Sequence, residues 1–162
     1  MKRYLALFLI VLLTASAVCA QEDEFGNKPK ETKLRNDLAV TFGLPGILNL
    51  SYTKSFSKVT GTRLTGGGLF IDDGSWLGFQ GELFFMLEHS RTFSADLSFG
   101  VSVVHADEKD ASNVSYAAVF ANIRYGRFFF QIGTGRVLSG SGDFKDDGGV
   151  LPFQLGIILA RF

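Results

Sequence analysis

Thiols are nearly absent from this 162-residue chain, which carries one cysteine, Cys19. A disulfide framework or a Cys-based metal site is therefore excluded once the segment holding Cys19 is set aside. There is no excess of charge of either sign, with 16 basic and 16 acidic residues. No broad basic surface argues for nucleic acid. Histidine is limited to His89 and His105, which narrows any acid–base chemistry. Long apolar runs are missing too. The unbroken stretch Leu5–Leu13 is shorter than the roughly 20 residues a membrane-spanning helix needs. What the chain has in abundance is phenylalanine, 17 residues, and glycine, 19 residues.

The short apolar run sits in a leader. Lys2 and Arg3 precede it, and Val18-Cys19-Ala20 supplies small residues three and one before a cut. This is the layout of a secretory signal peptide over residues 1–20, cleaved after Ala20, and Cys19 leaves with it. A lipid-modified Cys19 fits less well, because Ser16 and Val18 stand where that signal usually has a leucine and a small residue. Residues 21–37 are polar, charged and without periodicity, and read as a flexible segment leading into the folded domain.

The domain spans 38–162. Its most informative stretch is Thr92–His105, TFSADLSFGVSVVH. Phe93, Ala95, Leu97, Phe99, Val101 and Val103 alternate with Ser94, Asp96, Ser98, Gly100 and Ser102. Side chains alternate across a strand with period two, so one face is apolar and the other polar. At 14 residues this strand also exceeds the roughly 9–11 needed to cross a bilayer at a tilt. Eight such strands are expected, at 38–43, 47–56, 62–71, 76–88, 92–105, 114–125, 128–137 and 150–162. Short connections follow the second, fourth and sixth; longer acidic ones follow the third (Asp72-Asp73-Gly74-Ser75), fifth (106–113) and seventh (138–149). Short turns at one end and longer loops at the other are the habit of outer-membrane barrels, with the short turns periplasmic. The fold class is all-β: an eight-stranded antiparallel up-and-down transmembrane barrel behind a cleaved signal peptide.

Alternation alone leaves open which face is inside. In the second to fifth strands the polar face is mainly Ser, Thr, Gly, Asn and Gln, with Arg63, Glu82 and Asp96 as isolated charges. A water-facing surface carries more charge, about 25–35% of residues. The small polar face therefore reads as the packed lumen of a narrow barrel, and the large apolar face as a lipid belt. Arg63, Glu82, Asp96 and Arg124 are expected to form an ion-paired lumen network, since a buried charge needs a partner. In the fourth strand Glu88 shares the polar face with Gln80 and Glu82. Trp76 and the tyrosines read as interfacial anchors. The last strand is inconsistent: Leu151, Phe153, Leu155, Ile157 and Leu159 share a face, but Phe162 has the opposite parity. A bulge near its end would reconcile them.

The terminal Phe162 behind PFQLGIILAR, with the segments GLPGILNLSYTKSF and YGRFFFQIGTG, resembles the small eight-stranded outer-membrane barrels of the OmpX/OmpA-like class and the "outer membrane protein beta-barrel domain" group. The resemblance covers Leu38–Phe162 and is one of pattern. It implies an outer-membrane address in a Gram-negative-type cell and assembly by periplasmic chaperones and the barrel-assembly machinery, with Phe162 as the assembly signal. It also implies contact with outer-membrane lipid and lipopolysaccharide. It implies no single activity.

Candidate chemistry is sparse. His89 and Ser90 are adjacent, and adjacent strand residues point apart, so they do not form a nucleophile–base pair. His105 lies near Ser102, Asp107 and Glu108 at a rim. The carboxylates Asp72, Asp73, Asp107, Glu108, Asp110, Asp143, Asp146 and Asp147 are hard donors, but their spacing matches no EF-hand. They read as solvated loops, open to divalent bridging to lipopolysaccharide phosphates. Gly66-Gly67-Gly68 and Gly133-Thr134-Gly135 lack the strand–loop–helix context of phosphate loops and instead make lumen space. The expectation is a monomeric structural or surface-interaction barrel with a filled lumen and no wide pore, no catalytic residues, no cofactor and no metal. A lipid-modifying outer-membrane enzyme and a secreted soluble barrel holding an apolar ligand are the alternatives.

Overall fold

The structure, a computed structural model, describes residues 34, 36–71, 74–90, 92–107, 112–141 and 148–162. The expected signal peptide and the polar segment up to residue 33 lie outside the described residues, as do Asp72, Asp73, Glu108, Asp110, Asp143, Asp146 and Asp147. Among the described residues nine strands follow one another: β1 (Asn36–Gly43), β2 (Ile47–Ser55), β3 (Thr60–Ile71), β4 (Gly74–His89), β5 (Phe93–Asp107), β6 (Ser112–Tyr125), β7 (Phe128–Gly140), β8 (Gly149–Val150) and β9 (Phe153–Arg161). Every pairing is antiparallel. Consecutive strands pair from β1 to β7, and β9 bridges β7 and β1, which closes the sheet.

β8 and β9 form one stave of an eight-staved barrel, interrupted at Leu151-Pro152. Proline has no N–H to give a ladder, and here the Pro152 carbonyl instead accepts from Gly133 N at 2.8 Å. The single last strand expected over 150–162 is thus split. The closure is staggered. Following pairs from Asp37 leads through Thr53, Arg63, Glu82, Gly100, Ala118 and Gly135 to Val150, whereas Asp37 pairs on its other side with Arg161. A barrel of tilted strands requires such a shift.

Four sequence expectations are corrected by the pairing. Asn36 and Asp37 belong to β1, not to the polar segment, because Asp37 is held between Thr53 and Arg161. Gly74 and Ser75 pair with Ile71 and Phe70, so the β3–β4 connection shrinks to residues 72–73. β5, β6 and β7 likewise extend into what reads as loop. Glu88 faces outward and is exposed: a bulge between Met86 and Glu88 places it opposite Ala95 instead of a lumen residue.

The bulge required near the C-terminus falls at Leu159. Leu38 pairs with Ala160 and Ala39 with Ile158, so Leu159 is the extra residue. Beyond it Arg161 turns inward beside Asp37, and Phe162 stands exposed, its N–H donating to Asn36 O at 3.0 Å.

The barrel is inside-out. Phe42, Leu48, Leu50, Leu64, Phe79, Leu83, Phe99, Val101, Ile123, Phe130, Leu155 and Ile157 are exposed on its outer wall. Asp37, Thr41, Asn49, Ser51, Thr65, Gln80, Asp96, Ser98, Asn122, Gln131 and Gln154 are buried in the lumen. Water would reverse this arrangement, since burying polar groups costs and exposing apolar area forgoes about 25 cal/mol per Å². Hydrocarbon imposes it.

Candidate functional site

The lumen is the chain's densest concentration of polar chemistry, and each wall strand contributes to it by alternation. Arg63 on β3 is 1% exposed. Its Nη1 donates to Glu82 Oε2 at 2.9 Å, its Nη2 to Asp96 Oδ2 at 3.2 Å, and its Nε to Thr53 Oγ1 at 3.3 Å. Arg124 on β6 donates to the same Asp96 oxygen at 3.2 Å and lies 3.6 Å from Asp37 Oδ2. Arg161, 37% exposed at the mouth beside Asn36 and Phe162, reaches Asp37 Oδ1 at 3.5 Å. All four residues read from the sequence as a network, Arg63, Glu82, Asp96 and Arg124, are therefore brought together. Asp37 and Arg161 extend the chain, giving three carboxylates and three guanidinium groups.

Amides and hydroxyls complete it. Glu82 accepts from Gln80 Nε2 at 2.8 Å, from Gln131 Nε2 at 2.9 Å and from the Ser98 hydroxyl. Asn122 Nδ2 donates to Asp96 Oδ1 at 2.7 Å, and Ser102 to Gln80 Oε1 at 2.8 Å. Two buried rings flank the cations. The Arg63 guanidinium carbon lies 5.5 Å from the Phe84 centroid and 5.1 Å from that of Phe129, and Arg124 sits 6.0 and 5.8 Å from the same rings. Cation–π attraction in a desolvated setting offsets part of the cost of burying guanidinium groups.

Nearer the loop end the filling turns apolar. Val104, Val114, Tyr116, Ala118 and Phe120 are buried together, with Trp76, Val137 and Val150 against them. Trp76 is thus an inward residue, not an interfacial anchor: it shares parity with Gln80, and its Nε1 donates to Pro45 O at 2.7 Å. Tyr116 is likewise luminal, whereas Tyr125 is exposed at the terminal rim. Glycine makes room for these rings. A Cβ on Gly133 would stand 2.5 Å from the Phe120 ring, and one on Gly61 2.4 Å from that of Phe84. The inward aromatics follow from alternation, but the small polar residues beside them draw attention away from Phe84, Phe120 and Phe129.

The histidines stay apart from this site. His89 ends β4 and is exposed, and Ser90 bonds to Phe93 O instead. His105 Nδ1 lies 2.8 Å from Asn113 Oδ1. Ser102 is buried in the lumen, while His105 pairs with Asn113 on the outward side. Asp107 is exposed at the end of β5. Among the described residues no group of three or more metal-ligating side chains converges.

A closed antiparallel barrel with an apolar outer wall and an ion-paired, ring-packed interior defines the class: a small eight-staved transmembrane β-barrel. A structural comparison finds likeness to Ail, the attachment invasion locus protein of Yersinia pestis, at 14% identity over 80% of this chain and 95% of that one, with a TM-score of 0.34. No protein-family model matches the chain, and no curated protein matches it. The fold assignment rests on the strand ladder itself.

Proposed function

We propose that the protein resides in the outer membrane of a Gram-negative-type cell and serves there as a structural or surface-interaction barrel, not as a pore or an enzyme. The observation that supports it is the inversion of polarity: large apolar side chains outside, an ion-paired charge network inside. In this reading the ends at Asn36 and Phe162 face the periplasm, with Phe162 as the signal read by the barrel-assembly machinery after delivery by chaperones. The acidic connections at the opposite end face outward, where divalent ions bridge their carboxylates to lipopolysaccharide phosphates. With the lumen filled, those connections are the parts left to meet other molecules, and the barrel acts as a monomer.

Membrane fractionation with heated and unheated gel electrophoresis tests this. Recovery in the outer membrane with a faster-migrating unheated band is the expected result. Recovery in a soluble fraction without detergent would overturn it.

A further inference from the structure

Across the outer faces of β6, β7, β9 and β1 runs an open apolar trough of about 770 Å³, within the roughly 300–1,000 Å³ of small-molecule sites. Phe42 and Leu155 line it toward the loop end, Val40 and Ile157 its middle, and Tyr125 and Leu159 its terminal end. The trough is built by local geometry. The β9 bulge at Leu159 twists the wall here, and the outward rings of Phe128 and Phe130 stand along one side.

An exposed cation stands in the turn beside the terminal end. Tyr125 and Phe128 are joined by the Gly126-Arg127 turn, and Arg127 is exposed. The turn is fastened to β9: Ile158 N donates to Arg127 O at 2.7 Å, and the Arg161 guanidinium donates to Gly126 O. Arg127 therefore has a fixed base beside the trough. An apolar channel that ends beside an arginine-bearing turn and opens onto a lipid-facing wall matches an amphiphile with an anionic head.

We propose that this trough holds one acyl chain of a glycerophospholipid from the leaflet at the terminal end, its phosphodiester paired with Arg127. The proposal rests on the outer-membrane reading above. Guanidinium pairs with phosphate oxygens in charge-assisted bonds, and the phosphate sits at the level where the apolar wall ends. A second copy of the chain would also cover the apolar surface, but among the trough-lining residues there is no carboxylate to answer Arg127 of a partner.

The test uses the full mature chain, reconstituted in nanodiscs of phosphatidylethanolamine and phosphatidylglycerol and released for native mass spectrometry. Wild type is expected to retain one phospholipid per folded monomer. Val40→Trp, which fills the trough from an outward position, removes the adduct, with Ile157→Trp as a second filling variant. Arg127→Gln lowers occupancy by about tenfold. Folding of each is checked by the unheated gel shift. Folded wild type without bound lipid, equal retention by both tryptophan variants, or a lipid-free dimer would overturn the proposal while leaving the membrane reading intact. A chain that never enters the membrane fraction would overturn both.

Discussion

Glu82 is the residue on which the lumen network converges. It receives Arg63, Gln80, Gln131 and Ser98. Removing one member of a buried ion pair leaves the other uncompensated, which costs about 3–5 kcal/mol. Asp96 still neutralises part of Arg63, so Glu82→Gln should lower the unfolding free energy by about 3 kcal/mol, read from urea titrations in lipid vesicles. The double replacement Arg63→Met with Glu82→Leu removes both charges at once and should be much less than the sum of its single changes; additivity would show that the two are not coupled. Arg63 and Asp96 were legible in the sequence because each stands alone on a face of Ser, Thr and Gly, and Glu82 because it shares a strand face with Gln80. Asp37 was not. It sits at the junction with a charged segment, where nothing in composition separates a lumen carboxylate from a solvated one, and only its pairing with Arg161 across the closure reveals it.

At the scale of the strand, alternation fixes facing wherever the ladder is regular. Val101 and Ser102 on β5 show the contrast, one exposed and one buried. Val101→Arg should therefore cost about 2–4 kcal/mol in a bilayer, the penalty for a cation on the lipid face near mid-membrane; a cost near zero would place Val101 against water. Irregularities are harder to read. One extra residue at Leu87 or Leu159 flips everything beyond it; the broken parity of Phe162 betrays the second, whereas nothing in the sequence marks the first. Trp76 tests facing in a different way. As the chain's single tryptophan, it reports its own surroundings. Pointing inward onto Pro45 O, it should be quenched little by lipids carrying brominated acyl chains, whereas an interfacial anchor would be quenched strongly. Trp76→Phe loses that hydrogen bond and should cost about 1 kcal/mol.

For the whole molecule the question is whether anything passes through. An eight-staved barrel has room only for side chains, and here they occupy it in successive layers. Asp37, Arg124 and Asp96 lie toward the Asn36–Phe162 end, the rings of Phe84 and Phe129 clasp Arg63, Glu82 with the Gln80 and Gln131 amides follows, and the Tyr116–Phe120 cluster fills the loop end. Ions would have to displace paired charges in a confined, low-dielectric space, where the penalty is several kcal/mol per ion. Wild type should accordingly show no long-lived conductance steps in planar bilayers. The rings matter to this more than their lack of charge suggests, because they fill the cross-section around the arginines. Phe84→Ala with Phe129→Ala removes about 3–5 kcal/mol of packing at each site and leaves two guanidinium groups in a space that water can enter. That variant, if still heat-modifiable on gels, should leak small ions. Stable large steps in wild type would mean that the lumen layers rearrange in the bilayer, and the barrel's role would then have to include transport.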